Sequence, residues 1–188
     1  MQNKIIIITA PSGAGKTSIV QHLLANEPYL GFSISAATRQ ARVHEVHGKD
    51  YYFLSPEVFQ THIDNNDFIE WEMVYEGKFY GTLRAELNRL WALGKTPILD
   101  IDVQGAIHVQ QQFLNNSLSI FIAPPSVAAL KKRLQLRGTE TAEMITTRVN
   151  KANYEMDFQV HFNYIVVNNI LTNAIKETTT IIKNFLNK

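Results

Sequence analysis

Residues 4–27 read KIIIITA, then PSGAGKT, then SIVQHLLANE, and few stretches restrict a fold so tightly. Four consecutive isoleucines with no polar break describe a strand covered on both faces, as in a parallel sheet. Ile19, Val20, Leu23 and Leu24 fall at helical spacing. Between them lies a short loop with Gly13 and Gly15. A buried strand, a glycine loop and a helix in direct succession form the setting of a phosphate-binding loop.

The pattern G-x-x-x-x-G-K-[ST] asks for glycine where this chain has Ala10. Glycine is required where φ is positive or where a Cβ would collide. Ala10 ends the strand, where φ is negative, so the substitution is expected to be tolerated. Gly13 and Gly15 let backbone N–H groups turn inward on phosphates. Lys16 reaches the terminal phosphates and the Thr17 hydroxyl suits Mg²⁺. The helix beginning near Lys16 adds its positive end. The alternative is a plain glycine turn with an incidental lysine.

Strands and helices alternate along the rest of the chain. TPILDID, LSIFIAPP and YIVVNN read as further strands, which implies a parallel α/β sheet. Residues from about Gly31 to Thr82 have a different texture, polar, basic and aromatic. Within them SPEVFQTHIDNND predicts a helix capped by Ser55 with Pro56 at its first position. FIEWEMVYEGKFYGT predicts a hairpin turning near Gly77. LRAELNRLWALGK predicts a helix ending at Gly94. SVAALKKRLQLRG predicts one capped by Ser126 and leaving at Gly138, and TAEMITTRVNKANYEM another.

Composition narrows the chemistry. With 188 residues, 45% hydrophobic and 19% charged, a substantial core is available in one domain with small inserted lobes. The net charge of +1 gives no general attraction to nucleic acid polymers or acidic membranes. The absence of cysteine excludes disulfides, a thiol nucleophile and thiolate zinc. The opening apolar run is too short for a signal peptide, and no stretch suits a bilayer span. A cytoplasmic protein is expected.

Asp100 and Asp102 are expected on one side of a strand that ends there, in the usual crevice of an α/β sheet. One of them could hold Mg²⁺ or its waters. The alternative is that they cap a nearby helix. Arg133 and Arg137 lie four apart on one helix face, and Arg148 follows on the next helix. Like charges at that spacing call for an anionic partner, which nucleotide phosphates would supply. Arg133, within KKR, could equally be solvated. Arg39 and Arg42, with Tyr51 and Tyr80, offer forked donors and phenols suited to a second phosphate. The alternative is a basic surface loop.

The strings APSGAGKT, SISAATRQAR, GKDYYF, FIEW, FYGT, ILDIDVQGA, FIAPPS and LKKRLQLRGTET occur in order. With them the chain closely resembles the guanylate kinases, over essentially its whole length. That resemblance implies a three-layer P-loop kinase fold with a central parallel sheet. Residues 1–32, 83–124 and 160–188 would form the core, 33–82 a GMP-binding lobe and 125–159 a lid. It implies conversion of ATP and GMP to ADP and GDP with Mg²⁺, in a cleft holding the two nucleotides tail to tail. No membrane and no obligate protein partner are expected.

By the same resemblance Ser35, Glu70, Thr82 and Asp102 contact guanine. Its N1–H and N2 amine suit carboxylates and its O6 suits a hydroxyl, whereas adenine would leave those groups unpaired. Arg39, Arg42, Tyr51 and Tyr80 match the ligands of the GMP phosphate, and Asp100 the acid near metal and GMP. Ala10, Pro11, Ser12, Gly13, Ala14, Gly15, Lys16, Thr17 and Ser18 form the ATP-phosphate loop, joined by Arg133 and Arg137. Lys16, Arg137 and Arg148 are the expected catalytic cations. Thr17 would bind Mg²⁺ directly or through water, and Asp100 through water.

Two positions depart from the pattern. Ala37 stands where relatives commonly have a hydroxyl, and His44 where a small residue is usual. His44 and His47 lack a third ligand and read as surface rather than metal site. Two rivals remain. One is a peptide-binding module of the same fold, which would usually lose the phosphate-loop cations. The other is a small-molecule kinase with another acceptor, which would lack Glu70 and Asp102.

Overall fold

The computed structural model describes residues 3–136 and 141–187. In chain order the elements are β1 (Ile5–Thr9), α1 (Lys16–Asn26), β2 (Leu30–Phe32), β3 (Ala36–Ala37), β4 (Tyr52–Phe53), α2 (Pro56–Asp64), β5 (Phe68–Tyr75) and β6 (Lys78–Leu83). There follow α3 (Arg84–Ala92), β7 (Thr96–Asp100), α4 (Val103–Phe113), β8 (Ser117–Ala123), α5 (Val127–Leu136), α6 (Ala142–Asp157), β9 (Tyr164–Val167) and α7 (Leu171–Leu186). The chain forms two compact units, Met1–Pro28 with Asp100–Lys188, and Tyr29–Leu99.

In the first unit β8 lies between β1 and β9, and both pairings are parallel. Ile5, Ile6, Ile7 and Ile8 are fully buried, and every residue of β8 is buried. Burying each isoleucine is worth about 1.5–3 kcal/mol, which is why this apolar run becomes a strand covered on both faces. α4 packs on β1 and β8, and α1 packs on α7. α5 and α6 pack together around Leu130, Leu134, Ile145 and Ala152, and Ala14 of the glycine loop joins that cluster.

The second unit holds a parallel pair, β2 with β7, and a separate sheet in the order β4-β3-β6-β5. β5 and β6 form the expected hairpin across Gly77. α2 starts as expected. The Ser55 hydroxyl accepts the Val58 N–H at 3.3 Å, and Pro56 occupies the first turn, where its missing donor costs nothing. Phe59 of α2 stacks on Phe68 at 4.4 Å over Ala36, making the small core of this unit. β2 is only three residues long, too short to show a strand pattern in the sequence.

Ser126 caps α5 through the Ala129 N–H at 3.1 Å. Arg137 and Gly138 lie outside the described residues. Among the described residues no helix is long and apolar enough to cross a membrane.

Candidate active site

The glycine loop follows directly from β1. The Ala14 N–H donates to the Pro11 carbonyl at 3.0 Å, closing the turn. Gly13 and Gly15 have φ values of +94° and +96°, in the left-handed region that disfavours a side chain. Ala10 is not among the residues of positive φ, and it packs against the α5–α6 cluster. Alanine is therefore compatible there. Gly15 caps α1 without any side-chain hydrogen bond, so the first amides of the helix have no side-chain acceptor at the cap. That is the arrangement that receives phosphate oxygens.

Lys16 forms an ion pair with Asp100, and its Nζ also lies 3.4 Å from the Ile101 carbonyl. Both side chains are about one-fifth exposed. Arg148 donates to the Ser12 hydroxyl at 2.8 Å, tying α6 to the loop. Thr17 and Ser18 are exposed at the start of α1. Arg133 donates to the Asn168 carbonyl at 2.7 Å, so its guanidinium is anchored at the end of β9 rather than solvated.

The two acids do not share a strand face. β7 ends at Asp100, and Asp102 is the N-cap of α4, accepting the Gly105 N–H at 2.8 Å. The capping alternative holds for Asp102. The alternating reading fails because the chain turns out of the strand after Asp100 and the helix N-terminus demands an acceptor.

Two residues here were missed by reading the sequence. Asn168 Nδ2 donates to the Ala14 carbonyl at 2.8 Å and braces the loop from behind. Glu155 of α6 is buried, and burial pushes its carboxyl above the usual carboxylate range. Lys151, Lys16 and the Ser12 N–H oppose that rise and Asp102 adds to it. A local signal existed for neither.

In the second unit Glu70 and Thr82 face each other across β5 and β6. The Thr82 hydroxyl donates to Glu70 Oε1 at 2.6 Å, and both residues are buried. Tyr80 lies two residues before Thr82, on the same face of β6. Arg39, just past β3, makes a fork with Glu45 at 2.6 and 2.7 Å. It also donates to the Tyr80 hydroxyl at 3.1 Å and lies over the Tyr51 ring at 4.8 Å. Glu45 also accepts the Arg42 N–H at 2.9 Å. Hydrogen bonds from Arg39, then the Arg42 amide, hold the Glu45 carboxyl down at about 2. The same pair raises Arg39 above its ordinary value. Arg42 itself is 69% exposed at its side chain. Ser35 is half-buried beside this group, its carbonyl accepting the Tyr52 N–H at 2.9 Å.

The unit therefore presents a buried carboxylate with a hydroxyl, and a guanidinium with two phenols. The first suits a heterocycle bearing adjacent N–H donors, the second a phosphate.

A guanylate kinase family model matches residues 2–185. The chain belongs to the guanylate kinase family. It is 44% identical over 188 residues to the guanylate kinase of Bacteroides thetaiotaomicron, covering 100% of this chain and 92% of that one. It is 46% identical over 182 residues to that of Salinibacter ruber, covering 97% and 96%. The crystal structure of guanylate kinase from Anaplasma phagocytophilum aligns with a TM-score of 0.76 at 29% identity, covering 96% of this chain and 85% of that one.

Ala37, one departure from the guanylate kinase pattern, is fully buried in β3. His44, the other, is exposed. His47 is not a ligand in waiting: its Nδ1 accepts the Phe53 N–H at 3.2 Å. Among the described residues no three His, Asp or Glu side chains form a metal cage. The oxygen donors present, the Thr17 hydroxyl and the Asp100 carboxylate, fit a hard cation held mainly by phosphate oxygens and water. That is how Mg²⁺ usually binds.

Proposed function

We propose that this chain transfers the γ-phosphoryl of ATP to a phosphate oxygen of GMP, giving ADP and GDP. The observation that carries the choice of acceptor is the buried Glu70–Thr82 pair. A carboxylate held at 2.6 Å by a hydroxyl accepts the N1–H and N2 donors of guanine, and adenine offers no match. Ser35, Arg39, Arg42, Tyr51 and Tyr80 complete the GMP set, with Asp100 and Asp102 added by family resemblance. The donor set is residues 10–18 with Arg133, Arg137 and Arg148.

The acceptor oxygen is already anionic near neutral pH, because the second ionisation of a phosphate monoester lies near about 6. No general base is needed, and the chemistry reduces to alignment and charge neutralisation. Lys16 and the loop amides hold the transferring end of ATP. Arg148, fixed by Ser12, places a second cation beside the loop. A cation that reaches the moving group is worth about 10³–10⁵ in rate. Thr17 and Asp100 would hold Mg²⁺ with the ATP phosphates, and the ion supplies charge stabilisation there. The reaction belongs in the cytoplasm, beside its nucleotide pools, and proceeds without a protein partner.

The test is ADP release by the purified chain with ATP and Mg²⁺ against GMP, AMP, UMP and CMP separately. Turnover with GMP alone supports the reading. Equal turnover with AMP overturns the guanine assignment, and no turnover with any acceptor overturns the kinase.

A further inference from the structure

Glu86, in the first turn of α3, is 2% exposed, and its carboxylate oxygens are taken up by partners within the protein. Yet it accepts four hydrogen bonds. Oε1 takes the Ile34 N–H at 3.1 Å and Arg89 Nη2 at 2.7 Å. Oε2 takes the Tyr52 hydroxyl at 2.9 Å and Arg89 Nε at 2.8 Å. Burial alone would raise this carboxyl, but the donors from Arg89, Ile34 and Tyr52 outweigh it and the group lies below its ordinary range. It is an ionised, satisfied, buried carboxylate, a costly feature to keep unless its bonds are complete.

Its partners explain what it holds. Ile34 is the residue before Ser35, and Tyr52 is the residue after Tyr51. The two segments are also joined directly, the Tyr52 N–H donating to the Ser35 carbonyl at 2.9 Å. Tyr51 in turn meets Tyr80 edge-on at 6.0 Å and lies under Arg39 at 4.8 Å. One carboxylate thus ties the strand entering the guanine-reading hydroxyl to the strand carrying the phosphate-site phenol. Arg89 fills the remaining lone pairs and locks the rotamer with a planar fork.

We infer that Glu86 is a positioning residue for GMP, fixing Ser35 and Tyr51 relative to each other through Ile34 and Tyr52. This rests on the reading that this unit binds GMP. A misplacement of about 1 Å in a binding group can cost up to about 10²-fold, so loss of this tie falls on GMP use. ATP use draws on residues 10–18 and is left alone.

The experiment is steady-state ADP release by the full chain, with each nucleotide varied in turn. Glu86→Gln keeps the shape but puts an amide NH₂ where two donors point. It is expected to raise the KM for GMP about tenfold and leave the KM for ATP within about twofold. Tyr52→Phe removes one bond and leaves the carboxylate, and is expected to raise the KM for GMP about threefold. The double variant should fall short of the product of the two, because both act through one link. A folded Glu86→Gln protein with an unchanged KM for GMP, or with equal rises for both substrates, overturns the inference. If Glu86→Gln does not fold, Tyr52→Phe decides, and a wild-type KM for GMP overturns it. Glu70→Gln run alongside separates the two levels. If it raises the KM for GMP while the Glu86 and Tyr52 variants do not, the positioning role fails and the GMP site stands. If Glu70→Gln also leaves that KM unchanged, the GMP assignment itself fails.

Discussion

Replacing Gly15 by alanine tests whether the loop is braced as described. At φ +96° an added Cβ would lie 2.3 Å from Asn168 Nδ2, well inside van der Waals contact. Asn168 cannot retreat as a whole. Its own N–H donates to the Ala123 carbonyl at 2.8 Å and its carbonyl accepts Arg133 at 2.7 Å. Its side chain must therefore swing off the Ala14 carbonyl. The left-handed backbone costs alanine about 1–2 kcal/mol. The buried carbonyl left without its donor costs about 1–3 kcal/mol more. Gly15→Ala should thus lose about 2–5 kcal/mol in urea denaturation followed by circular dichroism. Asn168→Ala removes the obstacle, so in that background Gly15→Ala should cost only the backbone term of about 1–2 kcal/mol. The cycle of wild type, both single variants and the double variant then yields a coupling of about 1–3 kcal/mol. A single-variant cost under about 0.5 kcal/mol, or strict additivity in the cycle, would refute the brace.

Lys16→Ala should lower kcat by about 10²–10³ with the fold intact by circular dichroism, and near-normal turnover would remove Lys16 from the mechanism. Two carboxylates should show opposite pH signatures in thermal denaturation. Glu45 titrates near 2 when folded against an ordinary 4.5, so its contribution is present above 4.5 and fades as pH falls toward 2. The wild-type advantage over Glu45→Gln should close across that window, and a pH-independent difference would contradict the Arg39 fork. Glu155 is raised instead, chiefly by burial, so ionising it costs the folded state as pH climbs through and above the ordinary carboxylate range. Glu155→Gln should therefore melt higher than wild type at pH 7 and lose that advantage below about pH 4.5, where both forms are neutral. A variant that melts lower at pH 7 would mean that Lys151 and Lys16 outweigh the burial.

What could be read in advance depended on how far apart the deciding atoms lie along the chain. The Ile5–Ile8 run, the Ser55–Pro56 start of α2 and the Gly77 hairpin are set within a few residues, and each formed where expected. The family strings singled out Glu70, Thr82, Arg39 and Tyr80 as candidates, and the register of β5 and β6 brings the first two face to face. Asp102 went the other way. Two acids at i and i+2 read as one strand face only if the strand continues, and nothing local says that it stops at Asp100. Asn168 is the sharper case. It is separated from Ala14 by 154 positions, yet it decides why Gly15 must be glycine. Gly13 and Gly15 share a left-handed φ, but a Cβ at Gly13 would meet Leu134 Cδ2 at 2.9 Å, a flexible apolar end that can shift. A Cβ at Gly15 meets a hydrogen-bonded amide that cannot shift without breaking its bond. The motif G-x-x-x-x-G-K-[ST] specifies glycine at position 15 and leaves position 13 open. Their tolerances differ because one is backed by packing and the other by a directed bond, so Gly13→Ala should cost the backbone strain with little more, and Gly15→Ala both terms.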